Sequence, residues 1–171
     1  MARIWETPKE GPIGNSDFIV ADLVEKYKLQ IDVCCTPENR VKQCPAFFSL
    51  DVGIDALKQK WILNGWMNPP YDEQEIWVRK AISSVIENKI TMVCLLRVDT
   101  SIIYFRNLVM GIDRVGFPVD IGCHRELHFI EGRIKYWENN MPRPPHDRPP
   151  FASCLTIYSP REKNPWKTPM V

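Results

Sequence analysis

Residues 65–98 read GWMNPPYDEQEIWVRKAISSVIENKITMVCLLRV, which places a short apolar stretch, a proline-containing loop, an amphipathic segment and a second apolar stretch in sequence. The amphipathic segment predicts a helix, because its apolar residues recur every three or four positions, namely Val78, Ala81, Ile82, Val85 and Ile86. Residues 91–98 are almost continuously apolar, as in a central parallel strand covered on both faces. This order of elements predicts an α/β fold.

Segments with helix and strand patterns also alternate in the rest of the first two thirds of the chain. Apolar residues between Ile19 and Tyr27 follow a helical period after a capping residue, Asn15 or Ser16. Residues 29–34 and 46–50 are short β-prone runs, and residues 101–110 read as another helix. We therefore expect a mainly parallel sheet with helices on its faces, and functional residues beyond the carboxyl ends of its strands.

The last third of the chain has a different pattern. Residues 127–137 predict two strands that turn at residues 131–133, and residues 151–158 predict a final strand, so the sheet should end with antiparallel partners. Residues 141–150 hold five prolines and predict an exposed, extended loop. We expect one domain over residues 1–160 and a loosely held tail over residues 161–171.

The net charge and the apolar runs of the sequence limit how the protein could bind a nucleic acid or a membrane. Lysine and arginine total 22 against 21 acidic residues, and a net charge of +1 gives no overall field for a polyanion. Nucleic-acid binding would therefore use a local patch. The sequence has no run of roughly 20 apolar residues and no apolar signal core at its start, so we expect a cytoplasmic protein without a membrane partner.

Cysteine and histidine spacing does not favour a metal centre. The six cysteines form no C-x-x-C pair, and we interpret them as reduced and mostly buried thiols. His124 and His128 lie four residues apart with Glu126 between them, but their surroundings read as strand or loop rather than helix. The sequence therefore predicts no metal site.

The motif Asn68-Pro69-Pro70-Tyr71 carries the strongest chemical signal. An exocyclic amine on a base is a poor nucleophile, because its lone pair is delocalised into the ring. The Asn68 side-chain oxygen and the Pro69 carbonyl can each accept one N–H of such an amine and leave the lone pair aimed at a methyl donor. Tyr71 offers a ring on which a flipped base can stack. The motif predicts amine methylation from S-adenosylmethionine, whose sulfonium needs no acid, base or metal from the protein.

Two alternatives apply to the residues around this motif. Asn-Pro-Pro is also a common loop sequence, although here it stands between an apolar stretch and a helix that Asp72 and Glu75 could cap. Asp32 and Asp55 follow predicted strands, where an acid can bind a methionine amino group, a ribose hydroxyl or an adenine amine. Their other role would be that of exposed loop carboxylates or helix caps.

The sequence as a whole resembles the small phage-type (Dam-like) DNA N6-adenine methyltransferases of phages and prophages. The matching segments follow the family order across nearly the whole chain: Trp5-Glu6-Thr7-Pro8; residues 32–39; Asp55-Ala56-Leu57 with Trp61; Asn68-Pro69-Pro70-Tyr71 with Trp77 and Lys80-Ala81; Leu95-Leu96 with Asp99-Thr100; Gly132-Arg133-Ile134; and Pro150-Phe151-Ala152-Ser153.

The resemblance implies a single-domain Rossmann-like methyltransferase fold, S-adenosylmethionine as donor and adenine in DNA as acceptor. It implies an adenine-specific DNA methyltransferase of a bacterial or phage-infected cell. Residues 68–71 would form the catalytic loop. The cofactor site would contain Thr7, Pro8, Asp32, Cys34 and Asp55. Arg97 and Arg133 would contact DNA, although each could instead pack or form an ion pair.

Other functions remain open from the residues alone. The same chemistry could act on RNA adenine or on a protein glutamine amide, although the aromatic residues Trp61, Trp66, Tyr71 and Trp77 favour a base. A protein of another class, a DNA-binding protein that kept the fold and lost activity, would not need Asn68 and Tyr71. The small size leaves base specificity to short loops, which predicts weak sequence specificity or dependence on a partner or homodimer.

Overall fold

The computed structural model describes residues 17–132, 134, 137–138, 141–142 and 151–161. The helices are α1 (Asp17–Tyr27) and α2 (Gln74–Asn88). The strands are β1 (Ile31–Asp32), β2 (Ala46–Phe47), β3 (Gly65–Met67), β4 (Met92–Arg97), β5 (His124–Phe129), β6 (Trp137–Glu138), β7 (Met141–Pro142) and β8 (Ser153–Ser159). Short 3-10 turns cover Leu50–Val52, Ala56–Lys58 and Tyr71–Glu73, and a π-helix covers Phe105–Met110.

Six of these strands form one mixed sheet in the order β2-β1-β3-β4-β8-β5. Strand β1 pairs in parallel with β2 and β3, and β3 pairs in parallel with β4. Strand β8 runs antiparallel to both β4 and β5. The α/β fold and the antiparallel end of the sheet, both predicted from the sequence, are confirmed.

The two faces of the sheet are covered by different helices, and strand β4 is buried on both. Met92 and Cys94 pack in the same core as Val78 and Val85 of α2, whereas Val93 belongs to a second core with residues of α1. Burial of each large apolar side chain contributes about 1.5–3 kcal/mol. Residues 91–98 are therefore almost continuously apolar because this strand is covered on both faces, as predicted. Along the predicted stripe of α2, only Ile86 is substantially exposed, at 37%.

Gly65 leaves room for the side chains of its two cross-strand neighbours at the centre of the sheet. A Cβ at this position would lie 2.9 Å from the Met92 Cε and 3.2 Å from the Ile31 Cγ2. Because Gly65 pairs with both residues across the ladder, a side chain there would require one of theirs to move.

One prediction for the C-terminal third stays untested. The sequence predicts a hairpin over residues 127–137 that turns at residues 131–133, and residues 133, 135 and 136 lie outside the described residues. Among the described residues, β5 pairs with β8, whose Leu155 and Ile157 are fully buried, and β6 pairs with β7 in a separate two-stranded sheet. The first two residues of the proline-rich segment belong to β7, while residues 143–150 and the tail after residue 161 lie outside the described residues.

Within the described part of the chain, no helix combines the length and the apolar character that a membrane crossing requires.

Candidate active site

The candidate site lies where the direction of the chain through the sheet changes. From β1 the chain moves outward to β2, and it then returns to β3 on the other side of β1. In open α/β sheets, ligands bind in the crevice outside the carboxyl ends of two such strands. Asp32 ends β1 and pairs with Trp66 of β3, so the loops after Asp32 and after Met67 leave the sheet side by side. These two loops hold most of the described residues that the sequence singled out.

The Asn68–Tyr71 loop presents unused hydrogen-bonding groups. Asn68 and Tyr71 are half-buried, whereas Pro69 is buried and Pro70 is exposed and extended, with φ −53° and ψ 137°. Among the described residues, none forms a hydrogen bond with the Asn68 amide, and no backbone N–H donates to the Pro69 carbonyl. Since prolines restrict the backbone on both sides, the loop holds both groups with little freedom to rearrange.

Helix α2 does not begin as predicted. Residues 71–73 form a 3-10 turn, and α2 starts at Gln74 with Glu73 in the capping position and no side-chain cap. The predicted cap by Asp72 is therefore wrong. The extra turn displaces the start of the α-helix away from Tyr71, and the Glu73 carboxylate instead accepts a hydrogen bond from the Trp77 indole at 3.4 Å.

The Tyr71 ring lies against a second aromatic ring that was not singled out as a site residue. Its centroid is 4.6 Å from that of Phe151, with an interplanar angle of 72°, an edge-on contact. Phe151 lies two residues before β8, and the Ala152 carbonyl accepts a hydrogen bond from the Val98 N–H at 2.9 Å. The antiparallel pairing of β8 with β4 therefore brings a distant segment of the chain to the Asn68–Tyr71 loop.

Arg97, the last residue of β4, lies on the same aromatic ring. Its guanidinium carbon is 5.2 Å from the Phe151 centroid, and its Nη2 is 3.3 Å from a carboxylate oxygen of Asp99. The other Asp99 oxygen accepts hydrogen bonds from Ser101, which, with Arg97 as a smaller cause, lower the pKa of Asp99. Arg97 thus forms the ion pair and packing contact considered as its alternative role, and a contact with DNA stays a prediction.

The buried Asp32 side chain holds the loop after β1 by hydrogen bonds to its backbone. The side chain is only 2% exposed, and its two carboxylate oxygens accept backbone N–H groups from Cys34 at 3.2 Å and from Val41 at 3.0 Å. Burial raises the pKa of Asp32 to about 6, although these hydrogen bonds oppose the shift. The carboxylate therefore fixes the path of residues 33–41.

Cys34 stands half-buried at the same crevice. Burial raises the pKa of its thiol to about 12, with smaller contributions from the carboxylates of Asp32 and Glu73. The proximity of Glu73 to this thiol indicates that the loop after β1 and the turn after Tyr71 are neighbours. A thiol with this pKa stays protonated near neutral pH and offers a small apolar surface rather than a nucleophile.

Asp55 lies on the segment between β2 and β3. Its carboxylate accepts the Leu57 N–H at 3.1 Å and pairs with the Lys58 ammonium at 3.0 Å, and its side chain is 35% exposed. The hydrogen bond from Lys58 lowers the pKa of Asp55, so the carboxylate is ionised at neutral pH. Asp55 thus has the second of the roles considered for it, that of a helix cap and partly exposed loop carboxylate, and its contact with a cofactor stays a prediction.

Sequence reasoning missed a buried polar pair that follows the Asn68–Tyr71 loop. Gln74 is 2% exposed, and its side-chain oxygen accepts a hydrogen bond from the Tyr104 hydroxyl at 3.1 Å. Its Nε2 has no hydrogen-bond partner among the described residues. The signal available in the sequence was a glutamine at the start of an apolar helical face, which is a weak one.

Three predicted site residues stay untested, because Thr7, Pro8 and Arg133 lie outside the described residues. Trp61, Trp66 and Trp77 are at most 8% exposed and belong to the cores, so they provide no open stacking surface. Of the four aromatic residues that favoured a base, only Tyr71 remains accessible at the site.

Comparisons with known proteins extend these observations. The family model described as DNA N-6-adenine-methyltransferase (Dam) matches residues 3–170. A protein of Escherichia phage T1 described as DNA N-6-adenine-methyltransferase is 35% identical over 106 residues. The matched region covers 60% of this chain and 39% of the phage protein, so the chain spans about two fifths of the length of that relative.

Proposed function

Since this chain belongs to the Dam family of DNA N-6-adenine-methyltransferases, as its ordered motifs predicted, we propose that it transfers a methyl group from S-adenosylmethionine to the N6 amine of adenine in DNA. The proposal includes a single-domain, Rossmann-like methyltransferase fold over residues 1–160. It also includes a target base that is flipped out of the duplex into a pocket formed by residues 68–71.

One observation carries the proposal most directly. Asn68 presents a half-buried amide that no described residue engages, on a proline-restricted loop at the switch point of the sheet. A half-buried amide without an internal partner is unfavourable unless water or a ligand satisfies it. An adenine N6 amine, which has two N–H donors, matches the Asn68 oxygen and the adjacent Pro69 carbonyl.

The residues at the crevice between β1 and β3 fit S-adenosylmethionine. Asp55 supplies an ionised carboxylate for an ammonium or ribose hydroxyl, and the half-buried Cys34 and Phe48 supply apolar surface. Asp32 would act through the loop that it fixes, because both of its oxygens already accept backbone N–H groups. The cofactor, when bound, supplies a methyl group already activated on a sulfonium.

In this mechanism the protein supplies alignment rather than acid–base chemistry. Asn68 and Pro69 accept the two N–H bonds of the amine, which turns the nitrogen lone pair toward the methyl carbon. Tyr71 holds the extruded base by stacking, and its edge contact with Phe151 limits the tilt of the ring. The proton released from the amine after transfer passes to solvent.

The experiment that tests the proposal incubates the full chain with methyl-labelled S-adenosylmethionine and, separately, duplex DNA, RNA and a peptide mixture. The proposal predicts label in DNA. Label in RNA or peptide alone would assign the same chemistry to RNA adenine or to a glutamine amide. DNA binding without any transfer would identify an inactive DNA-binding protein on this fold.

Binding of DNA outside the target base would need further contacts. The net charge of +1 gives little non-specific attraction to DNA, so Arg133 is proposed as a local contact, with a homodimer as a further source of affinity. Sedimentation of the full chain with and without a DNA duplex would establish the stoichiometry.

A further inference from the structure

Arg97 has contacts that a freely available phosphate-binding arginine would not need. Its guanidinium lies over the Phe151 ring at 5.2 Å and pairs with Asp99 at 3.3 Å. Its Nε is buried and has no hydrogen-bond partner in the described part of the chain, although the side chain as a whole is 40% exposed. Partial loss of hydration strengthens the attraction between a guanidinium and an aromatic face.

The Phe151 ring in turn contacts the Tyr71 ring. The two centroids are 4.6 Å apart in an edge-on arrangement, which depends on the orientation of both rings. Arg97 and Ser153 are cross-strand partners, so the backbone sets Arg97 two residues from Phe151 on the neighbouring strand. Asp99, Arg97, Phe151 and Tyr71 therefore form a continuous series of contacts that ends at the catalytic loop.

We propose that Arg97 is a positioning residue, which holds the Phe151 ring by cation–π contact and thereby fixes the orientation of Tyr71 for stacking on the target base. This role rests on the proposed function, and it replaces the expectation that Arg97 contacts a DNA phosphate. Asp99 contributes by holding the guanidinium over the ring.

The two roles of Arg97 predict opposite effects of substitution. A phosphate contact needs only a positive charge, so Arg97→Lys would retain DNA affinity, and Asp99→Asn would increase it by removing a nearby negative charge. A positioning role needs the flat guanidinium, so Arg97→Lys and Arg97→Met would both impair the methyl-transfer step. Asp99→Asn would then impair the same step, because Asn keeps the Ser101 contacts but pairs less strongly with Arg97.

The first measurement is independent of activity. The chain has five tyrosines, and ¹³C-labelled tyrosine side chains can be followed by NMR, with Tyr71 assigned by its loss in Tyr71→Phe. The Phe151 ring current should shift the Tyr71 signals, and Arg97→Lys, Arg97→Met and Asp99→Asn should move them toward those of Phe151→Leu. Unchanged Tyr71 signals in the Arg97 variants would overturn the proposal, whether or not the chain methylates DNA.

The second measurement separates binding from the methyl-transfer step. We expect single-turnover methylation of a DNA duplex to slow by about tenfold in both Arg97 variants, which corresponds to about 1.4 kcal/mol. The DNA Kd should change by less than about twofold if no phosphate contact is lost. A weaker Kd in Arg97→Met that Arg97→Lys restores, with an unchanged single-turnover rate, would overturn positioning in favour of a phosphate contact.

Arg79 provides the matched control. It is an arginine on α2 whose side chain is 61% exposed and pairs with Glu75 at 2.7 Å. Arg79→Met removes the same charge and should leave the Tyr71 signals and the single-turnover rate unchanged. Methyl transfer to RNA or peptide alone by the wild type would refute the proposed DNA substrate, while the NMR series would still decide whether Arg97 positions Tyr71.

Discussion

The Asp32 carboxylate accepts a hydrogen bond from the Val41 N–H at 3.0 Å, across nine residues of chain. Its other oxygen holds the Cys34 N–H, so one buried acid fixes both ends of the loop that borders the crevice between β1 and β3. This loop has no glycine, and it turns because a side chain satisfies its backbone donors. If the cofactor binds in this crevice as proposed, Asp32 acts on it through the loop backbone.

Burial of Asp32 predicts an unusual dependence of stability on pH. Its pKa is about 6 in the folded state against an ordinary value of 3.8, so the folded state binds the proton more tightly. The contribution of Asp32 to stability should therefore fall as the pH rises from about 4 to 6, by at most about 3 kcal/mol. The stability difference between wild type and Asp32→Asn, measured by urea unfolding, should shrink across this range.

Asp22→Asn is the control for that series, because Asp22 is an exposed aspartate on α1. Asp32→Asn should lower stability at every pH, since the amide cannot accept both backbone N–H groups. A difference between wild type and Asp32→Asn that stays constant from pH 4 to 6 would contradict the assignment.

The effects of substitutions at Gln74 and Tyr104 on the free energy of unfolding should not add, because the two side chains share a buried hydrogen bond. Burial raises the pKa of Tyr104 to about 12, so its hydroxyl stays protonated and donates to Gln74. Tyr104→Phe leaves the buried Gln74 amide without any partner and should destabilise the fold by about 1–3 kcal/mol. Adding Gln74→Leu removes the orphaned group, so urea unfolding should find the double variant more stable than Tyr104→Phe alone. A further loss of stability in the double variant would refute this interpretation.

Substitutions at Asp55 and Lys58 can separate two functions of the Asp55 carboxylate, namely binding of the cofactor and shaping of its own segment. If Asp55 binds the cofactor, Asp55→Asn should weaken S-adenosylmethionine binding by about tenfold in calorimetry, because a charge-assisted hydrogen bond becomes a neutral one. Lys58→Ala frees the same carboxylate from its ion pair and should not weaken binding. Equal losses in the two variants would mean that Asp55 acts only by shaping its segment.

Tyr71 should contribute through its ring. Stacking of a base on an aromatic side chain is worth about 1–3 kcal/mol, so Tyr71→Ala should slow methylation of a DNA duplex by about tenfold at subsaturating DNA. Tyr71→Phe keeps the ring and should retain most of that rate. Equal rates in wild type and Tyr71→Ala would show that the base does not rest on Tyr71.

The parts of the fold that follow local rules were predictable. The apolar run of residues 91–98 and the stripe of α2 indicated a strand and a helix, and both are present. The pairing of β5 with β8 was not predictable, because it depends on tertiary packing rather than on local pattern. The contacts of Phe151 with Tyr71 and Arg97 join residues 80 and 54 positions apart, and no spacing rule reveals them.

The direct test of the central claim is the identity of the methylated atom in wild type and Asn68→Ala. DNA incubated with each protein and S-adenosylmethionine is digested to nucleosides and analysed by mass spectrometry. We predict N6-methyl-2′-deoxyadenosine with wild type and a rate lower by about 10²–10³ with Asn68→Ala, at nearly unchanged cofactor affinity. Unmodified adenine with wild type, or the same rate with Asn68→Ala, would contradict the assignment of Asn68 as the acceptor for the target amine.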